Sequence, residues 1–178
     1  MFLSAKRRKH EETIDRLYGV IVAQARDPFF YGTLDVPDTI EGRFDMLVLH
    51  VHLLFRRLAA EHESVRKVGQ DVFDRFVGDM DASLREIGIG DLAVPKRMRA
   101  MGEAFYGRAA VYDEALAHAG DEQLAAALQR NIYAGQTAAG ATQLAHYVRS
   151  AVRELASQNV DAIADGVIEF PNPASVQT

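Results

Sequence analysis

The hydrophobic residues of this chain recur every three or four positions, which is the pattern of an amphipathic α-helix. The first such segment runs from Arg7 to about Arg26, and Pro28 ends it because proline disfavours helix at the preceding residue. The second carries apolar side chains on most of its sides between Phe44 and Leu58, so we expect it to be central. Further helices are predicted over 64–87, 95–118, 122–134 and 137–157, with a short one over 159–165.

Glycines and prolines mark the ends of the predicted helices. Gly88 and Gly90 end the third helix, and Pro95 fits the first turn of the fourth. Gly135 and Gly140 leave two alternatives for the next junction, a break or a kink within one helix. No run of four or more residues alternates as a strand does. We therefore predict an all-α, single-domain, irregular bundle of about six to seven helices over residues 1–166, and a mobile tail over 167–178.

The start of the second helix contains two residues that a helix does not favour. Asp38 to Glu41 resembles a capping box, in which the Asp38 carboxylate accepts from free backbone N–H groups. Gly42 then weakens the helix, and Arg43 places a cation at the positive end of its dipole. We expect a close backbone approach at Gly42 and a specific anion for Arg43.

Acidic residues and arginines alternate on the third helix, where Asp81 and Arg85 have the i,i+4 spacing of an ion pair. Two interpretations stay open. The charges form a solvated face, or Asp79 or Asp81 faces an arginine of another helix, such as Arg43 or Arg108, in a partly buried network. The candidates for a structural charge network are Arg43, Asp45, Asp79, Asp81, Arg85 and Arg108.

Composition argues against several classes of function. The net charge of −5 opposes bulk nucleic-acid binding, and we expect no sequence-specific nucleic-acid contact. The absence of cysteine excludes disulfides, thiol catalysis and thiolate metal sites. His50 and His52 point in different directions on a helix, and no other histidine has ligand spacing. The chain also lacks a nucleophile elbow, a P-loop and a dinucleotide fingerprint, so we expect no enzyme, no metal and no cofactor.

The amino terminus is basic at Lys6, Arg7, Arg8 and Lys9 but has no apolar segment after these residues. It therefore does not read as a signal peptide, and the longest apolar run falls far short of the roughly 20 residues that span a bilayer. We expect a cytoplasmic protein with a peripheral membrane contact. These four cations are candidates for weak, salt-sensitive contact with acidic lipid head groups or with the ribosome.

A second basic cluster begins the fourth helix at Lys96, Arg97 and Arg99, beside Met98 and Met101. Methionine is common on adaptable binding surfaces and equally common as a core filler. The candidates for contact with another protein are Lys96, Arg97, Met98, Met101, Phe105 and Tyr106.

Two blocks of sequence resemble the ubiquinol–cytochrome c chaperone family, the cytochrome b assembly chaperones of the bc1 complex. The first block runs from Ala23 to Leu58 and includes the sequences VPDT and GRFDM. The second runs from Phe73 to Arg108 and includes DMD, LRE, GDL, VPKRM and AFYGR. The match extends over about residues 15–118, in a chain that resembles a bacterial member.

The resemblance implies a non-enzymatic chaperone that binds newly made cytochrome b. Mitochondrial members of the family work with a smaller partner near the ribosomal tunnel exit. An apolar surface on the second and fourth helices would shield a hydrophobic segment of the client. Two alternatives are a small-molecule or haem-binding bundle, with Tyr106, His50 and His52 as contacts, and a structural subunit of a membrane-associated assembly.

Overall fold

The computed structural model of the protein describes residues 2–136 and 139–176, and within them the chain is helical without any strand. The all-α prediction is thereby confirmed. The helices are α1 (Phe2–Ala25), α2 (Pro28–Gly32), α3 (Ile40–Leu58), α4 (Glu63–Glu86), α5 (Val94–Ala117), α6 (Glu122–Asn131), α7 (Gly140–Ser157) and α8 (Val160–Ala164), followed by a 3-10 turn at Pro173–Ser175. None of the helices in these ranges has both the length and the apolar character that crossing a bilayer requires.

Helix α3 lies at the centre of the bundle, as its apolar pattern predicts. It packs against α1 and α4 along part of its surface and against α5 and α7 along the rest. Its residues from Asp45 to Leu54 are all buried, including the polar side chains of His50 and His52. Because α3 is shared by both groups of helices, it joins α1 and α4 to the α5–α7 layer.

The junction that the sequence left open is a break between α6 and α7. Ala134 and Gly135 both have a positive φ, of 51° and 77°, which no α-helix accommodates. The predicted start of the sixth helix at Thr137 lies outside the described residues. Helix α7 begins at Gly140, where a Cβ atom would collide with the carbonyl oxygen of Leu34.

A cluster of phenylalanines joins α4 and α5 to α3. Phe73 and Phe105 have ring centroids 4.7 Å apart, and Phe55 and Phe76 lie beside them at about 6 Å. Phe44 stacks on Phe76 at 6.1 Å and extends the cluster to the first turn of α3. This cluster fixes how α3 meets the middle of α4 and the middle of α5.

The segment after Gly166, for which the sequence predicts a mobile tail, lies against the helices. Residues 167–176 follow the surface of the helices, and Ile168 and Pro173 are buried. Gln24 donates to the Pro171 carbonyl oxygen at 3.2 Å, and the ring of Phe170 lies 5.3 Å from that of His50. Prolines prevent helix formation in this segment, but burial of its apolar side chains still stabilises the packed arrangement. Gln177 and Thr178 lie outside the described residues.

The first turn of α3 has the close approach that Gly42 predicts, with a different cap. Thr39, not Asp38, is the N-cap, and its hydroxyl accepts from the Gly42 N–H at 3.1 Å. Asp38 instead accepts from Arg43 Nε at 2.6 Å, which is the anion expected for that cation. A Cβ atom at Gly42 would collide with the Pro37 carbonyl oxygen, so only glycine fits against this backbone.

Candidate functional site

An open apolar groove lies where the ends of three helices meet. The carboxyl ends of α1 and α4 and the start of α3 form it, and Met101 of α5 completes it. Its volume is about 290 Å³. The lining residues are Val22, Ala25, Arg26, Ile40, Arg43, Phe44, Leu47, Met80, Ser83, Leu84, Glu86, Ile87 and Met101.

The groove exposes apolar side chains that the fold leaves uncovered. Ile40 is 70% exposed and Ile87 is 59% exposed, although large aliphatic residues are usually buried. Met80 and Met101 are partly buried along the groove, and their flexible thioethers adjust to irregular partners. Such a surface can hold an apolar group.

Local structure holds the edges of the groove in place. The close contact of Gly42 with Pro37 fixes the first turn of α3, so Ile40 is held at the rim. At the end of α4, Gly88 adopts a positive φ of 85°, and the N–H of Ile89 donates to the Leu84 carbonyl oxygen at 3.0 Å. This turn ends α4 just after Ile87.

Charged side chains stand at the edge of the apolar lining. Arg26 directly follows α1, Arg43 lies in the first turn of α3, and Glu86 is the last residue of α4. Arg43 is paired with Asp38, which raises the pKa of the guanidinium and lowers the pKa of the carboxyl group. The groove therefore has an apolar floor and a rim of mixed charge, because Asp38 offsets Arg43 and Glu86 stands opposite Arg26 in sign.

Five of the six client-contact candidates lie at least partly at the surface, and Phe105 does not. Met101 lines the groove, and Met98 is half-buried one turn earlier on α5, after the exposed Lys96 and Arg97. Tyr106 is 58% exposed and stands against Phe73 and Phe105.

Phe105 is 1% exposed and belongs to the core. It faces inward because Phe55, Phe73 and Phe76 surround it, and it therefore reaches no partner in this fold. Helical spacing alone does not separate an inward aromatic residue from its outward neighbour, Tyr106.

The charge-network candidates separate into independent groups. Asp81 pairs with Arg85 at 2.7 Å, and Arg85 also contacts Asp91, all near the surface at the end of α4. Asp79 accepts a hydrogen bond from the Tyr18 hydroxyl at 2.8 Å. The interpretation in which Asp79 or Asp81 faces Arg43 or Arg108 is thus wrong, because Asp79 contacts Tyr18 of α1 and Asp81 pairs with Arg85 on its own helix.

Asp45 and Arg108 form the cross-helix pair that the sequence did not identify. Their side chains approach to 2.7 Å between α3 and α5, and the guanidinium lies 5.7 Å from the centre of the Phe44 ring. Burial raises the pKa of the Asp45 carboxyl group to about 6, against the opposing effect of Arg108, while Glu41 raises it further. The two candidates belonged to separate sequence blocks, so no spacing rule could pair them.

His50 is part of a buried hydrogen-bond chain. Its Nδ1 donates to the Met46 carbonyl oxygen at 2.7 Å, so its Nε2 accepts from the Tyr147 hydroxyl at 2.8 Å. Gln24 donates to the same hydroxyl at 3.0 Å. Burial lowers the pKa of His50 to about 4, so the ring is neutral at pH 7.

His52 faces α5 from the opposite side of α3. It is buried, and its Nε2 lies 3.3 Å from Asp113, which also pairs with Arg56 at 2.5 Å. Burial lowers its pKa as well. In the part of the chain that the structure describes, no three histidine or acidic side chains cluster as metal ligands would.

The sequence pattern does not reveal the exposed rim residues of the groove. Ile40 falls within the capping sequence, and helical spacing in the segment over 64–87 predicts that Met80 and Ile87 face inward. The available signal was position, because Ile40 is the first residue of α3 and Ile87 is the C-cap of α4. Met80 was expected inside, and it is half-buried at the groove.

Comparisons with known proteins agree with this architecture. The family described as "Ubiquinol-cytochrome C chaperone" matches residues 33–170. The crystal structure of the Cbp3 homolog from Brucella abortus superimposes with a TM-score of 0.90 at 39% sequence identity, and the alignment covers 99% of this chain and 100% of that one. A comparison with curated proteins gives no match. The chain therefore belongs to the ubiquinol–cytochrome c chaperone family.

Proposed function

We propose that this protein is a non-enzymatic chaperone that binds newly made cytochrome b and supports assembly of the bc1 complex. Membership of the chaperone family supports the general role. The observation that carries the proposal is the open groove with Ile40 and Ile87 exposed at its rim. A protein that stays folded with such residues uncovered has a surface suited to another apolar segment.

The groove matches a short stretch of a hydrophobic helix. Its volume of about 290 Å³ is at the lower end for ligand pockets, which suits a few side chains rather than a whole cofactor. A helix docked in a groove presents such side chains at positions i, i+3 and i+4. Met80 and Met101 would adapt to their shapes, so the site can accept more than one segment of a membrane protein.

The contact area is small, which favours temporary binding. Burial of apolar surface contributes roughly 25 cal/mol per Å², and ordering of the client opposes it. We propose that Met98 and Tyr106 extend the contact along α5 and that Lys96 and Arg97 flank it. A client held in this way is shielded until it inserts and then dissociates. The protein would act in the cytoplasm, at the inner membrane where the client inserts.

Site-specific photo-crosslinking tests the client site. A photoreactive residue at Ile40 or Ile87 should crosslink to newly made cytochrome b. The matched control is Val167, which is also 59% exposed but follows Gly166, beside Arg16. Arg16 lies nine residues before Ala25, about 14 Å along α1. Equal crosslinking from all three positions, or none from the groove, would reject the site.

A loss-of-function variant tests the role. Ile40→Glu with Ile87→Glu places charge at two exposed positions, so folding should be retained while bc1 levels fall. Normal bc1 levels in that strain would contradict the proposal. Stoichiometric retention of the protein in the finished complex would instead indicate a structural subunit.

The haem-binding alternative gains no support from the histidines. Both ring nitrogens of His50 are engaged by Met46 and Tyr147, and His52 is buried beside Asp113. Iron ligation by His50 would require this chain of hydrogen bonds to break. Titration with haem should therefore give no Soret shift that depends on His50 or His52.

A further inference from the structure

The connection between α4 and α5 carries an uncovered leucine next to a group of cations. Leu92 is 99% exposed, so its side chain contacts almost nothing in the protein. Lys96, Arg97 and Arg99 follow it in the first two turns of α5, and all three are exposed. Neither feature belongs to the lining of the groove, although Lys96 and Arg97 also flank the proposed client contact.

The three cations lack any partner in the described part of the chain. The one acid of the connection, Asp91, is taken by Arg85 of α4. The first turn of α5 contains no acidic residue, and its N-cap, Ala93, supplies no side-chain acceptor. Cations at the positive end of a helix are unfavourable. An anion beside this turn would pair with the cations and would also interact favourably with the helix dipole.

The basic cluster at the amino terminus is different, because its arginines are paired on their own helix. Arg7 contacts Glu11 at 2.8 Å, and Arg8 lies 3.7 Å from Glu12. These carboxylates offset the positive charge of that turn. In a chain of net charge −5, α5 therefore offers the better site for an extended anionic surface.

We propose that the α4–α5 connection docks on an anionic lipid surface. Leu92 enters the boundary between head groups and acyl chains, and Lys96, Arg97 and Arg99 contact lipid phosphates. A free phosphate would leave Leu92 in water, whereas a bilayer interface offers an apolar layer beneath a layer of anions. The contact needs no client protein, and it is weak and reversible because only one large apolar side chain inserts.

Vesicle co-sedimentation of the full-length protein tests the charge requirement. Binding is expected to vesicles of phosphatidylcholine with phosphatidylglycerol, to weaken with added salt, and to be absent with phosphatidylcholine alone. Each cation near the surface contributes about fivefold in affinity, so a Lys96→Gln, Arg97→Gln, Arg99→Gln variant should bind about a hundredfold more weakly. The matched control is Lys6→Gln, Arg7→Gln, Arg8→Gln, which should lose less than tenfold.

A tryptophan reporter tests the insertion of Leu92. The chain has no tryptophan, so Leu92→Trp provides a single probe. Its emission should shift to shorter wavelength with the anionic vesicles, whereas Val167→Trp, at an exposed position of the tail, should not change. Leu92→Ser should weaken vesicle binding about tenfold without changing the thermal midpoint.

Several outcomes would overturn the proposal. They are equal binding to neutral and anionic vesicles, no binding to either, or an equal loss in the amino-terminal control. An emission shift of Leu92→Trp with an apolar peptide but not with vesicles would assign the connection to a protein partner.

Discussion

The Tyr147 hydroxyl donates a hydrogen bond to Nε2 of the buried His50, across 2.8 Å and between helices α7 and α3. The Phe30 ring lies against both residues, and Phe170 of the carboxyl-terminal segment covers His50. This contact connects four parts of the chain in one site. A histidine that appears in sequence as a candidate ligand thus serves to hold the bundle together.

Acid should destabilise the protein through His50. Its pKa is about 4 in the folded protein and about 6.5 when unfolded, so the unfolded chain binds more protons between these values. His50 therefore contributes stability that is complete above pH 6.5 and is lost as pH falls towards 4. Urea unfolding at pH 7 and pH 5 should show a smaller loss in His50→Gln than in the wild type.

Removing the hydroxyl in Tyr147→Phe should cost about 1–3 kcal/mol, because it leaves His50 Nε2 without a partner in the core. The control for general effects of acid is His118→Gln, which changes an exposed histidine. An unchanged pH dependence in His50→Gln would contradict this account.

Asp45 should have the opposite pH dependence. Its pKa is raised to about 6 from an ordinary 3.8, so the folded protein binds more protons than the unfolded chain between these values. Stability that depends on Asp45 is complete below pH 3.8 and is lost as pH rises to 6. Asp45→Asn should remove this component, which denaturation across pH 4–7 would measure.

Removing one partner of the Asp45–Arg108 pair should destabilise the protein more than removing both, because a single replacement leaves a buried charge unpaired. Asp45→Ala leaves Arg108 without its anion and should cost roughly 3 kcal/mol at pH 7. Replacing both residues, as Asp45→Leu with Arg108→Met, should cost far less, because the desolvation that raises the Asp45 pKa disappears. Additive losses in urea denaturation of the double variant would contradict this expectation.

Two glycines in helices should respond oppositely to alanine. Gly42→Ala places a methyl group against the Pro37 carbonyl oxygen and should destabilise by about 1–3 kcal/mol. Gly78→Ala adds a methyl group in open space on α4 and should stabilise by roughly 0.5–1 kcal/mol. Thermal unfolding measures both, and a stable Gly42→Ala would show that the first turn of α3 is able to move. That variant should also bind the client less well, since Ile40 lies in the same turn.

Replacement of two neighbouring aromatic residues on α5 should have different effects, one on stability and the other on client binding. Phe105→Ala removes a buried ring from the cluster and should cost about 3–5 kcal/mol. Tyr106→Ala changes an exposed side chain and should cost little stability while it weakens crosslinking to the client. Equal loss of stability in the two variants, measured by urea unfolding, would show that Tyr106 is a second core residue.

Much of the fold follows from local sequence. The apolar spacing of α3 predicts its central place, and Gly88 and Pro95 predict the ends of the helices beside them. Gly42 predicts a close backbone approach, and the structure supplies Pro37 as the neighbour. The packing of residues 167–176 does not follow from local sequence, because prolines predict only that this segment is not helical. Whether such a segment packs depends on a surface formed by distant residues.

By itself, the sequence determined that this protein is an all-α bundle of the ubiquinol–cytochrome c chaperone family, because periodicity, caps and motif order are local properties. Only the tertiary structure decided which arginine meets Asp45, that Phe105 faces inward and that Ile40 and Ile87 share one groove. These facts depend on how helices far apart in sequence meet. Helical spacing fixes the direction of each side chain on its own helix and not the neighbour it finds.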